Sequence, residues 1–218
     1  MLVLAIDTST PAVTAGVATL AGTDVTVLAE RVTLNPRAHG ELITPHVLEA
    51  AKEADVTLRG LDAIVCGIGP GPFTGLRAGM ATAAALGHGL GLNVYPVCSL
   101  DAIAATVDTA EPFAVVTDAR RREIYWAAYT AGGTRQDGPH VEAPRELGHA
   151  VVAGDGARLY EDKLGARVVE PHYPTVQGLV TAAAAALTAG EEPAPLTPLY
   201  LRRPDATEPG TRKRVTVP

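Results

Sequence analysis

Residues 67–79 read Gly-Ile-Gly-Pro-Gly-Pro-Phe-Thr-Gly-Leu-Arg-Ala-Gly, and no other run constrains the fold so tightly. An apolar strand, Leu61 to Ile68, feeds a glycine-proline loop that opens directly into a helix. Gly69 and Gly71 admit backbone angles closed to other residues, and Pro70 and Pro72 stiffen the turn between them. The free amides at the helix start make a positive pocket that fits an anion. Along the helix Gly75, Gly79, Ala83, Gly87 and Gly91 recur every fourth position, a ridge of small residues. Each interior glycine costs about 1 kcal/mol of helix stability relative to alanine, so the ridge predicts very close packing of a neighbour. That neighbour is either another polypeptide or a helix of the same chain.

Three strands precede the loop, Leu2–Asp7, Ala12–Leu20 and Val25–Leu34, with turn residues between them that predict an antiparallel meander. A helix over Gly40–Ala54 follows, with Ile43, Val47, Leu48, Ala51 and Ala54 at helical spacing. Pro45 either kinks it or opens its main part, with Thr44 as cap. After the small-residue helix comes a short strand, Leu92–Val97. The second half partly repeats the plan. Phe113–Thr117 ends at Asp118 as the first strand ends at Asp7, and Glu123–Thr130 alternates like a second strand. Residues 131–149 read as loop with at most one short strand. Val151–Ala153 and Arg167–Val169 are candidate strands, and Thr175–Ala189 is a helix whose alanines leave little to pack. From Gly190 on, prolines dominate, and Gly210–Pro218 reads as a mobile tail.

The run 69–79 resembles the Gly-Pro-Gly-x-Phe-Thr-Gly-Leu-Arg-x-Gly signature of the TsaB (YeaZ) family. Shorter matches are Ile6-Asp7-Thr8-Ser9, Asp118-Ala119-Arg120-Arg121 with Glu123 and Tyr125, and Pro198-Leu199-Tyr200-Leu201-Arg202. The resemblance, with the element order, implies an α/β fold of two ribonuclease-H-like (actin-like ATPase) lobes. Each is a mixed sheet flanked by helices, the second reduced. The expected division is residues 1–100 and 101–218. The resemblance also implies a cytoplasmic, non-catalytic subunit of the machinery that transfers threonylcarbamoyl to adenosine 37 of tRNA. Such a subunit pairs with a TsaD-type catalytic subunit, is acted on by a small TsaE-type ATPase, meets tRNA indirectly, and homodimerises when alone. The expected pairing surface is Gly75, Leu76, Gly79, Met80, Ala83 and Gly87 with Ile43 and Val47.

Candidate chemistry is sparse. Asp7, Thr8 and Ser9 occupy the place of a first phosphate loop, and with Gly69, Gly71 and Asp118 they form a candidate vestigial nucleotide or phosphate site. A strand-ending turn favours the same residue types. The glycine loop is not a P-loop, because Gly75 is followed by Leu76 and Arg77 rather than Lys and Ser/Thr. Nor is it a dinucleotide fingerprint. His39 and His46 are two helical turns apart, about 10 Å along the axis and too far to share one ion, so they read as a surface or interface face. TsaD-type relatives carry a His-x-x-x-His metal motif where this chain has Pro96-Val97-Cys98-Ser99-Leu100-Asp101-Ala102, without histidine. No metal and no tightly bound cofactor are expected, though ATP or ADP with magnesium can belong to the complex. Cys66 and Cys98 read as core residues.

With 218 residues, 47% of them hydrophobic but only 4% aromatic, the chain can bury a substantial core. Its net charge of -6 argues against a protein devoted to gripping a phosphate backbone, although a local basic patch is compatible with it. Arg120–Arg122, Arg202–Arg203 and Arg212-Lys213-Arg214 are the basic clusters; such runs usually mark solvated surface. No run of about 18 apolar residues marks a membrane span. A stand-alone ATPase or phosphotransferase using Asp7, Thr8 and Asp118 around magnesium is the alternative. A metallopeptidase is weakened by the missing histidines.

Overall fold

The computed structural model describes residues 1–202. Strands β1 (Leu2–Asp7), β2 (Ala12–Ala21) and β3 (Asp24–Leu34) form the expected meander. Helix α1 (His39–Glu53) then leads to β4 (Ala63–Gly67), and helix α2 (Phe73–Leu90) leads to β5 (Val94–Val97). β4 runs parallel to β1 and β5 parallel to β4, so the sheet order is β3-β2-β1-β4-β5. The two-residue period of a strand divides its side chains between layers. Leu4, Ile6 and Ile64 face Ile43, Val47, Leu76 and Met80 of α1 and α2. Val3, Ala5, Ala63 and Val65 face the opposite layer. α1 continues through Pro45, so neither a break nor a Thr44 cap is present. α2 ends at Gly91 (φ 70°), whose amide reaches back to Gly87 O.

A short α3 (Ser99–Ala104) crosses to a second sheet of β6 (Phe113–Asp118), β7 (Ile124–Tyr129), β8 (Arg135–Glu142), β9 (Val151–Ala153) and β10 (Arg167–Val169). Its order, β10-β9-β6-β7-β8, repeats the first sheet's plan. The turns α4 (Asp155–Leu159) and α5 (Glu161–Leu164) replace long helices, so this half is reduced.

Three expectations need correction. Residues 131–149 hold a full strand, β8, that sequence reading saw mostly as loop. It runs at a sheet edge, half exposed, where Gly138 and Pro139 are tolerated. The alanine-rich α6 (Val176–Ala189) does pack: Val176, Leu179, Val180, Ala183 and Leu187 cover the first sheet. Its small residues also let it approach α3 so closely that a Cβ on Gly178 would overlap Ala102 O. Finally, a cut near residue 100 separates the strands of the two sheets but not the layers, because α6 returns to the first sheet. Leu196 follows it back, packing on the α1/α2 core. The residues expected as a mobile tail lie outside the described residues.

Candidate functional site

The small-residue ridge of α2 points into the molecule. Gly75, Leu76, Gly79, Met80, Ala83 and Gly87 are all buried, and so are Ile43 and Val47 of α1. These eight residues therefore offer no surface to a partner, which corrects the expectation placed on them. The physical reason lies at the end of β1. The Thr8 hydroxyl donates to Gly75 O (2.7 Å) and accepts from the Gly79 amide (3.0 Å), inserting into one rung of the helix ladder. A Cβ on Gly79 would overlap this hydroxyl, and one on Gly75 would come within 3.0 Å of Thr8 O. Further along, Gly87 makes room for Val94 and Leu92 O. Gly79 serves the end of β1, Gly75 both that end and His39 of α1, and Gly87 the start of β5.

The neighbouring acid is equally committed. Asp7, 1% exposed, accepts from the Ser9 amide and hydroxyl (both 2.8 Å) and from the Ser99 hydroxyl (2.5 Å). Burial pushes its carboxyl above the usual range, and the bonds from Ser99 and Ser9 oppose that shift. Ser99 also joins the glycine loop: its hydroxyl accepts from the Gly69 amide (3.2 Å), and its own amide donates to Gly69 O (2.8 Å). Gly67 leaves the space that the Asp7 carboxylate fills, and Gly71 lies against Ser9 O. Asp7, Ser9, Ser99 and Gly69 thus form a buried, internally hydrogen-bonded knot. Ser99 stands in the sequence only within the histidine-free run 96–102; nothing local marks it as a partner of Asp7. His39 and His46 are buried, which corrects the surface reading. His39 Nε2 lies 2.8 Å from Thr10 O, and His46 Nε2 lies 2.9 Å from Thr33 Oγ1. Among the described residues no cluster of three or more His, Cys, Asp or Glu is placed to hold a metal.

Above the knot lies a cleft of about 410 Å³ between the two sheets. Each quoted sequence segment contributes to it: Thr8, then Gly71 to Gly75, then Ala119 to Arg121 with Tyr125, then Tyr200 to Arg202. The last segment is a strap. Leu199 N donates to Ile68 O (2.8 Å), and the Tyr200 ring sits 4.5 Å from that of Phe73. Arg77 Nε donates to the Tyr200 hydroxyl (2.6 Å). Arg202 then crosses to the second sheet, donating to Ala119 O (3.1 Å) and pairing with Glu123. Asp118, expected beside Asp7, faces a different hollow with Asp155, whose carboxyl burial pushes up to about 6. Of the six residues proposed from sequence as a phosphate site, Asp7, Thr8, Ser9, Gly69 and Gly71 lie together around the knot and Asp118 lies apart; only Thr8 and Gly71 line the cleft. Burial pushes the Cys98 thiol up to about 12 and the Cys66 thiol higher still, which disfavours the reactive thiolate at both. No helix of the described residues is long and apolar enough to cross a membrane.

Residues 26–199 match the family model described as TsaD: tRNA N6-adenosine threonylcarbamoyltransferase. An uncharacterized protein of Mycobacterium tuberculosis is 54% identical over 205 residues, covering 94% of this chain and 93% of its own. The tRNA threonylcarbamoyladenosine biosynthesis protein TsaB of Haemophilus influenzae is 34% identical over 140 residues, covering 63% and 57%. A crystal structure from Pseudomonas aeruginosa, of a protein with similarity to peptidase YEAZ, superposes with a TM-score of 0.76 at 30% identity, covering 92% of this chain and 99% of that one. With two ribonuclease-H-like sheets and the glycine-loop signature in place, the chain belongs to the TsaB (YeaZ) family, within the wider group that the TsaD model describes.

Proposed function

We propose that this chain acts in threonylcarbamoyladenosine formation on tRNA as a non-catalytic scaffold that pairs with a TsaD-type catalytic subunit. The TsaE-type ATPase then works on that pair, and the chain alone forms a homodimer through the same face. One observation carries the reading. The groups that would do phosphoryl chemistry, Asp7, Thr8 and Ser9, are consumed by internal hydrogen bonds, whereas the outer faces of α1 and α2 remain open. The exposed side of α2 past Arg77 is small and uncharged apart from His88 (Ala81, Ala84, Ala85), and Thr44 and Leu48 (54% exposed) stand beside it on α1, whose remaining exposed residues include Glu41, Glu49, Lys52 and Glu53. Short side chains let a partner helix approach closely. The pairing surface is thus the opposite side of α2 from the glycine ridge.

The test is co-purification of the full chain with a TsaD-type protein. An Ala84→Arg variant, whose longer side chain stands in solvent, is expected to fold normally and to lose pairing by at least tenfold. Unchanged affinity in that variant would move the interface elsewhere. Steady ATP turnover by the isolated chain would favour the phosphotransferase alternative instead.

A further inference from the structure

The β6–β7 turn is unusual. Arg120, Arg121 and Arg122 are consecutive and all left-handed, with φ of 62°, 57° and 62°. Each such residue costs roughly 1–2 kcal/mol relative to a right-handed one. The turn is nonetheless braced: the Arg120 amide donates to Asp118 Oδ1 (2.9 Å), Ala119 N to Glu123 O (3.0 Å), and Glu123 N to Arg120 O (3.0 Å). All three side chains are exposed, and Arg120 and Arg121 line the cleft. Among the described residues no aspartate or glutamate lines that cleft, while Arg120, Arg121 and Arg202 do, together with Thr8, Thr10 and Thr74. Two carboxylates outside the wall meet these arginines, Asp118 at 3.6 Å from Arg120 and Glu123 against Arg202. In a chain of net charge -6 this is a local concentration of cations.

We infer that this arginine turn at the cleft mouth is a direct contact for RNA phosphates, so that the chain touches the tRNA itself. The inference rests on the tRNA reading above and deepens it. Guanidinium groups on a rigid turn suit phosphate oxygens, which they bind bidentately. Three neighbouring charges spaced along a turn match a phosphate backbone better than a single small anion, because each neutralised phosphate releases counterions.

The experiment measures binding of the full chain, alone and with a TsaD-type subunit, to an unmodified anticodon stem-loop over a salt series. The variant is Arg120→Gly with Arg122→Gly, since glycine adopts left-handed φ freely and the backbone bonds of the turn survive. Its melting temperature should be unchanged or higher. The slope of log K against log salt should fall by about 0.7–0.9 for each phosphate contact removed. An Arg167→Gln control, exposed on the second sheet, should leave the slope alone. The inference is overturned if the double variant keeps the parental slope, or if Arg167→Gln lowers it equally, which indicates diffuse charge. It is also overturned if millimolar inorganic phosphate displaces the RNA completely. Loss of pairing with the TsaD-type subunit in the parent chain would instead remove the scaffold reading, leaving the RNA measurement on the single chain intact.

Discussion

Replacing Gly79 with alanine tests whether the ridge of α2 was shaped by the chain's own strand end. The new methyl would overlap the Thr8 hydroxyl and crowd its Cγ2 and Cβ at 3.2 and 3.3 Å. Overpacking of this kind costs about 1–3 kcal/mol. Displacing Thr8 also breaks its bonds to Gly75 O and the Gly79 amide, buried groups worth roughly 1 kcal/mol each. Against this, alanine gains about 1 kcal/mol of helix propensity. The net expectation is destabilisation of about 2–4 kcal/mol. Thr8→Ala alone should cost about 2 kcal/mol by removing the hydroxyl. In the double variant the methyl occupies the vacated space and the propensity gain is recovered. It should therefore be less destabilised than the two single changes added together, by about 3–5 kcal/mol. Urea unfolding of the isolated chain measures all four corners of the cycle. Additivity within about 0.5 kcal/mol, or a Gly79→Ala protein as stable as the parent, would refute the argument that Thr8 dictates glycine there.

The remaining predictions concern charge and the strap. Asp155 titrates at about 6 in the folded chain, above its ordinary 3.8, so its protonated form favours folding. That contribution is complete below about pH 4 and is lost as pH rises through 6, at a cost of up to about 3 kcal/mol. Asp155→Asn should accordingly match the parent near pH 4 and exceed it in melting temperature at pH 7.5; a less stable variant at pH 7.5 would show that the carboxylate's bonds outweigh its desolvation. Tyr200→Ala removes the ring that Phe73 and Arg77 hold, and should speed hydrogen exchange at the Leu199 amide and proteolysis over 196–202 with little change in overall stability. Equal exchange in both proteins would mean that the strap is held elsewhere. Ala84→Arg should abolish pairing without altering the unfolding midpoint, as measured by co-purification beside urea unfolding.

Much of the fold was legible because its signals are local. The apolar runs of β1, β4 and β6, the turn residues between β1, β2 and β3, and the left-handed Gly91 after α2 each act within a few positions. The exceptions were elements whose pattern is set by position in the sheet. Edge strand β8 needs only one bonded neighbour, so its Gly138 and Pro139 looked like loop. The alanines of α6 looked too small to pack until Gly178 brought α3 almost into backbone contact. The glycine ridge was noticed correctly and its neighbour misjudged, since a four-residue period shows that something approaches without showing what does.

What the chain's residues determined alone is the strand–loop–helix unit at 63–90, the doubled plan of strands ending at Asp7 and Asp118, and family membership through the signature run. What only the tertiary structure decided is where the conspicuous groups are spent. A hydroxyl at position 8 fills a gap in a helix rung near residue 79, and Ser99 reaches across to Asp7. Hydrogen bonds between residues so distant in the chain leave no spacing to read. Whether a polar side chain is a reagent or a brace depends on the partner it meets, and that meeting is made by packing.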